Sequence, residues 1–193
     1  LQGSVEHYHN TRYRHCSYYC EWLGALLPDL HGPSQIDALR NIENEWQNIQ
    51  FAWEWLALPG LGQLPVPLVT STTLLNAIQP LFWFSWMRQR WQDGIQLFTK
   101  CFANIAPRQP TDFALWGFLA AASAKLMMNS DQISKARQLA QNASAALPEL
   151  VGHATYPILQ ILLVVVLHPE DTQQCLNAII QQLEAQNDRW GQG

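Results

Sequence analysis

Seven apolar residues, Ile36, Leu39, Ile42, Trp46, Ile49, Trp53 and Leu56, recur at gaps of three or four. That period lays a single stripe along one long helix over residues 35–56. Trp46 and Trp53 lie on the stripe and Trp55 off it. Two tryptophans in so long a stripe need cover from more than one side. A lone amphipathic helix would leave them wet, so neighbouring helices must close over them.

The rest of the composition agrees with extensive burial. The 193 residues are 48% hydrophobic and include nine tryptophans, which excludes a disordered chain. Charged residues make up only 13%, against a usual share of roughly 25%. The surface must therefore be rich in the 20 Gln and 10 Asn. A net charge of −4 without any basic run argues against a face that tracks phosphates, and hence against nucleic-acid binding. Cys16, Cys20, Cys101 and Cys175 show no framework spacing and read as free thiols of a reducing cytoplasm. The longest apolar run, 161–167, is far short of the ~20 residues that a membrane span requires. The first residue is Leu1 and helical patterning begins almost at once, so the chain reads as a fragment of a longer protein, cut in helical regions at both ends.

Taken in order, residues 5–27 read as a first helix, with Cys16, Tyr19, Leu23, Leu26 and Leu30 on one face and the turn around Pro28 to Gly32 ending it. With the striped helix it makes an antiparallel hairpin over 1–57. Residues 58–71 hold three prolines and two glycines and read as a connector. From 72 to 193 the pattern is helix, turn, helix three times over: 73–88 with 92–105, 112–128 with 131–147, and 156–167 with 170–186. Pro80 should kink the third helix or mark its late start. Asp112 and Asp131 stand where N-caps are wanted. The run Leu162 to Val166 prefers a strand on propensity, which its place in a helical repeat overrides. Trp91-Gly94-Phe98, Ile133-Ala136-Ala140 and Thr172-Cys175-Ile179 repeat one offset at spacings of 42 and 39 residues, longer than the 34 of a tetratricopeptide (TPR) repeat. The fold expected is all-α: a right-handed, TPR-like superhelical array of about eight helices in antiparallel hairpins.

The run Glu45-x-x-Asn48-Ile49-x-x-Ala52-Trp53-x-Trp55 resembles a segment of bacterial signal-transduction ATPases of the NB-ARC (STAND) type, just after their nucleotide-binding and winged-helix domains. Phe82-x-Phe84-x-Trp86-x-Arg88, followed by Asp93-Gly94 and Leu97-Phe98, is similar to a second segment of that family. Its usual turn glycine is Gln89 here, which puts a positive-φ turn in doubt. Asn187 to Gly191 looks like the loop that opens a further repeat. The resemblance implies an array that senses a signal, packs against an ATPase core and supports self-assembly. The P-loop that would bind ATP, G-x-x-x-x-G-K-[ST], does not occur in this sequence.

None of these motifs is catalytic. His9, Cys16 and Cys20 share a helical face, with Tyr13 between and His7 or His15 nearby, but that face is the apolar stripe, where small cysteines pack well. His153 and His168 are tied to Cys101 or Cys175 by no motif. Glu45 and Asn48 share a side near the stripe, and a buried carboxylate there needs a partner, Arg12 or Arg14 being the nearest candidates. No catalytic residue, metal site or cofactor is expected. Partner contact is expected at Trp83, Trp86, Arg90 and Trp116, because first helices of successive hairpins line a solenoid's inner face and Trp and Arg dominate binding hot spots. Two functions follow. One is a non-catalytic interaction and sensor arm of a multidomain signalling ATPase, acting on a protein partner, its own ATPase domain or a small effector. The alternative is a self-standing α-solenoid that takes a peptide or small ligand in its groove. In neither case does this segment bind nucleic acid or a membrane.

Overall fold

The computed structural model describes the backbone of residues 2–56, 70–103, 105, 110–145, 147–150 and 156–190, with the side chains of 10–55, 70–103, 105, 111–145, 147–150 and 156–181. The fold is all-α: among the described residues there are ten α-helices, one 3-10 turn and no strand. The chain forms two compact units, Leu1–Ala106 and Pro107–Gly193.

The first unit holds α1 (Gln2–Ala25), α2 (Leu27–Leu30), α3 (Gln35–Asn44), α4 (Trp46–Leu56), α5 (Ser71–Met87) and α6 (Trp91–Phe102). Helix α1 packs on α5 and α4, and α6 closes against both α4 and α5. Cys16, Tyr19, Cys20, Leu23 and Leu30 are buried, as the face assignment requires, whereas Leu26 is only half-buried. Pro28 does not end the helical path: it sits in the first turn of α2, where its missing N–H costs nothing.

The striped helix is interrupted at Glu45. The i→i−4 bonds continue through it, from Glu45 N–H to Asn41 O (3.2 Å) and from Ile49 N–H to Glu45 O (3.0 Å). Leu39, Ile42, Trp46, Ile49 and Trp53 are buried as expected, and Leu56 has no described side chain. Two assignments are corrected. Ile36 is 67% exposed, because it falls in the first turn of α3, and Trp55, placed off the stripe, is only 5% exposed. A stripe drawn from one period assumes cover on one side, and α4 is covered by α1 and by α6.

The connector over 58–71 lies outside the described residues as far as 69. Thr70 then N-caps α5, its Oγ1 accepting from Thr73 N–H (3.1 Å). Pro80 is buried inside α5, which starts nine residues ahead of it, so the late start does not occur. The turn into α6 carries a second correction. Gln89 has φ 55°, the left-handed conformation that its lack of glycine put in doubt. Gln89 N–H bonds Trp86 O (3.3 Å) and Arg90 N–H bonds Ser85 O (2.9 Å), the paired bonds of a Schellman helix stop. For a side chain with a Cβ that conformation costs roughly 1–2 kcal/mol, against the ~0.5–1 kcal/mol of extra entropy that glycine loses. Gln89→Gly should therefore raise the urea midpoint, by up to about 1 kcal/mol of stability, and an unchanged or lower midpoint would show that the Gln89 side chain makes good the strain.

The second unit holds α7 (Pro110–Asn129), α8 (Ile133–Ser144), the 3-10 turn Leu147–Leu150, α9 (Tyr156–Leu167) and α10 (Thr172–Trp190). Helix α7 packs on α8, α9 and the 3-10 turn, and α9 on α8 and α10. The run Leu162 to Val166 is helical, inside α9. Neither aspartate is an N-cap. Asp112 lies in the first turn of α7, which begins at Pro110, and Asp131 sits one residue before the α8 N-cap, Gln132. Asp131 instead has φ 57° and, with Gln132 N–H bonded to Met127 O (3.0 Å), repeats the left-handed residue and the longer-range of the two bonds of the Gln89 turn 42 residues on. Of the small and distal positions of the repeat, Gly94, Phe98, Ala136, Ala140 and Ile179 are buried and Cys175 is half-buried, while the leading Ile133 is 46% exposed. Helix α10 runs through Asn187 to Trp190, so no loop opens there.

Candidate functional site around Arg90

The first motif turns out to be a set of packing and hydrogen-bonding contacts. The Glu45 carboxylate accepts from Tyr19 Oη at 2.6 Å and from Asn48 Nδ2 at 2.8 Å. Its partner is therefore a tyrosine of α1, not Arg12 or Arg14. The cause is position: Tyr19 is buried on the α1 face that meets α4, while Arg12 stacks over Phe51 (4.3 Å) and Arg14 is exposed. Ile49, Ala52, Trp53 and Trp55 are all buried, and Ala52 O accepts from Cys16 Sγ (3.2 Å).

The two hydrogen bonds, Tyr19 first, hold the Glu45 carboxyl below its ordinary pKa. Burial, then the bond to Glu45, pushes the Tyr19 phenol up to about 12. A lowered carboxyl stabilises the fold above its unfolded pKa and ceases to as pH falls through the folded value. A raised phenol stabilises below the unfolded value near 10 and ceases to as pH rises towards 12. Tyr19→Phe should thus lower the melting temperature at neutral pH, and its deficit should shrink below about pH 4 as Glu45 is protonated in both proteins. A deficit that stays constant down to pH 2 would mean that the phenol acts through packing alone.

The thiols do not form a reactive set. Cys16, Cys20 and Cys101 are buried, and burial pushes Cys16 and Cys101 up to about 12 and raises Cys20 further. His15 packs against Tyr19 (4.9 Å) and Phe51 (5.7 Å) rather than beside the cysteines, and the His9 side chain lies outside the described residues. Among the described residues no cluster of three or more His, Cys, Asp or Glu could hold a metal. Only half-buried Cys175 should react promptly with a thiol reagent such as Ellman's, one of four, the others following only on unfolding. Two or more fast thiols in the folded protein would contradict this packing.

Of the four expected contact residues, Trp83, Trp86 and Arg90 belong to the first unit, and Trp116 is half-buried on α7 in the second. Neither Trp83 nor Trp86 is fully buried. Trp83 lies edge-on to His31 (5.4 Å) and Phe82 (5.4 Å), and Trp86 is tilted against Phe82 (6.0 Å). Both tryptophans flank buried Phe82 and are themselves half-buried, and the Trp83 indole nitrogen is buried without a hydrogen-bond partner among the described residues.

Arg90 leads elsewhere. It is the N-cap residue of α6, its Nε bonds Asp93 Oδ2 at 3.1 Å, and its guanidinium lies 4.8 Å from the centre of the Trp46 ring and 5.9 Å from that of Phe84. Trp46 in turn stacks on Phe84 at 5.0 Å. Arg90 thus forms one wall of a cleft of about 350 Å³, whose other walls are Glu43, Asn44, Trp46, Gln47 and Asn48 from the α3–α4 junction. Arg88 reaches Glu43 at 3.5 Å from outside this set. Sequence reasoning found Arg90 and missed its five companions. They lie more than forty residues upstream, and all but Trp46, which is on the stripe, are exposed residues on the polar side of a stripe chosen for its apolar side. Only the (i, i+3) pair of Arg90 with Asp93 was legible locally.

No protein-family model matches this sequence, and comparison with characterised proteins and with solved structures gave no significant match.

Proposed function

We propose that this chain is the non-catalytic interaction and sensor arm of a multidomain signal-transduction ATPase, a TPR-like superhelical segment working in the cytoplasm to govern activation or self-assembly. The observation that carries the reading is the two left-handed turns at Gln89 and Asp131, 42 residues apart, each joining a helix to the next with which it packs. Such regular helix pairs are the building unit of solenoid arms, which work by presenting surface rather than by chemistry. The motif resemblance supports the reading further, since its residues serve to lock helices together, as a scaffold requires. No described helix is long and apolar enough to cross a membrane.

The test begins with the reading frame that encodes the chain. A P-loop ATPase domain ahead of Leu1 is the expected finding, and removal of residues 1–193 from that protein should then change its nucleotide hydrolysis or its oligomeric state. A frame without a P-loop domain overturns the proposal and leaves the self-standing solenoid.

A further inference from the structure

The cleft around Arg90 has a specific donor and acceptor inventory. Asp93 and the Trp46 ring fix the guanidinium from two sides, which holds it in place before any ligand arrives. Its Nε is committed, but its Nη1 and Nη2 make no hydrogen bond among the described residues, so the outer edge of the fork is open. That edge matches the two oxygens of a carboxylate. Glu43, in the same lining, meets only Arg88 among the described residues, at 3.5 Å through one oxygen, and half of its side-chain surface is open. The side-chain amides of Asn44 and Gln47, also in the lining, have no partner among the described residues, and Asn48 uses its Nδ2 on Glu45.

The charges of the lining decide among ligand classes. Glu43 and Arg90 cancel, so neither an anion nor a cation is drawn in by the cleft as a whole. Each of the two has a counter-ion just outside the lining, Asp93 for Arg90 and Arg88 for Glu43, so a phosphate would meet one arginine already paired and a carboxylate in the same cleft. A molecule with both charges places each on its opposite. We propose that the cleft binds a small α-amino-acid zwitterion, with the α-carboxylate on Arg90 and the α-ammonium on Glu43. The free amides of Asn44 and Gln47 suit the peptide groups of a ligand with two or three residues, and about 350 Å³ is at the low end of small-molecule sites, roughly 300–1,000 Å³. Free amino acids and short peptides share this chemistry. The inference uses the first unit alone and stands whether or not an ATPase domain accompanies the chain.

The test is a titration of ¹⁵N-labelled protein with trialanine, alanine, N-acetyl-trialanine and trialanine amide, following the Trp46 indole N–H signal beneath Arg90. Trialanine should give a saturable shift, and capping either end should weaken binding about tenfold through loss of one charge-assisted contact. Glu43→Gln should erase the preference for a free N-terminus but keep that for a free carboxylate, and Arg90→Gln the reverse. Glu43 is exposed and its variant should fold normally, so the test survives if the arginine variant does not. Alanine binding as well as trialanine supports the zwitterion and assigns the site to free amino acids, whereas weaker alanine assigns it to peptides. Absence of a saturable shift with both, equal binding of the capped peptides, or tighter binding of inorganic phosphate overturns the proposal.

Discussion

Trp53→Ala is expected to lose about 3–5 kcal/mol, a large share of the roughly 5–15 kcal/mol that holds a typical domain together. The side chain is 1% exposed and lies where α4 meets both α1 and α6. Its indole N–H approaches the Cys101 thiol of α6 closely enough to favour the thiolate slightly, yet outside hydrogen-bonding geometry. Truncation would leave a cavity bounded by helices that cannot collapse independently. Trp55→Ala should cost a comparable amount, because that ring is 5% exposed. The contrast comes from Phe51, in the same helix and 46% exposed, where contacts with Arg12 and His15 of about 0.5–1 kcal/mol each are at stake. Urea melts of the three variants decide the matter, and a Phe51→Ala loss equal to that of Trp53→Ala would refute the two-sided burial of α4.

Phe118→Ala should be as damaging to the second unit, again about 3–5 kcal/mol. Phe118 is wholly inaccessible in the middle of α7, a helix whose buried residues run almost continuously from Ala114 to Met127. With α8 and α9 both seated on α7, the space left by the ring has no mobile neighbour to fill it. Ile133→Ala, at the exposed start of α8, is the matched aliphatic control and should change stability by less than about 1 kcal/mol. A small loss at Phe118 would mean that α7 is not the core of its unit.

The helices were legible because helical periodicity is strong and because proline and glycine mark the breaks. The repeat spacing emerged from the same pattern and reappears as the Gln89 and Asp131 turns. What stayed hidden shares one physical cause, namely that the sequence shows a helix's own period but not how many neighbours it has. Trp55 looked peripheral until α6 was placed against α4, and Ile36 looked central although α3 leaves its first turn wet. The Tyr19–Glu45 bond joins residues 26 apart, and no local rule pairs them. Of the six cleft residues only Arg90 was readable as a contact, and Trp46 as part of the apolar stripe. The polar wall from Glu43 to Asn48 was not, since exposed amides carry no periodic signal.

The two left-handed turns bear on the order of assembly. A glycine at either position would halt its helix by local preference, before any partner arrived. Gln89 lacks that preference and Asp131 has it only weakly, so in the isolated chain helical winding has less reason to stop at either place than glycine would give it. The reversal must be imposed from outside, by Phe84 and Phe98 in one unit and by Leu126 and Ala136 in the other seeking the same dry interior. Each hairpin then closes as a result of side-chain docking, and the turn records that docking after the event.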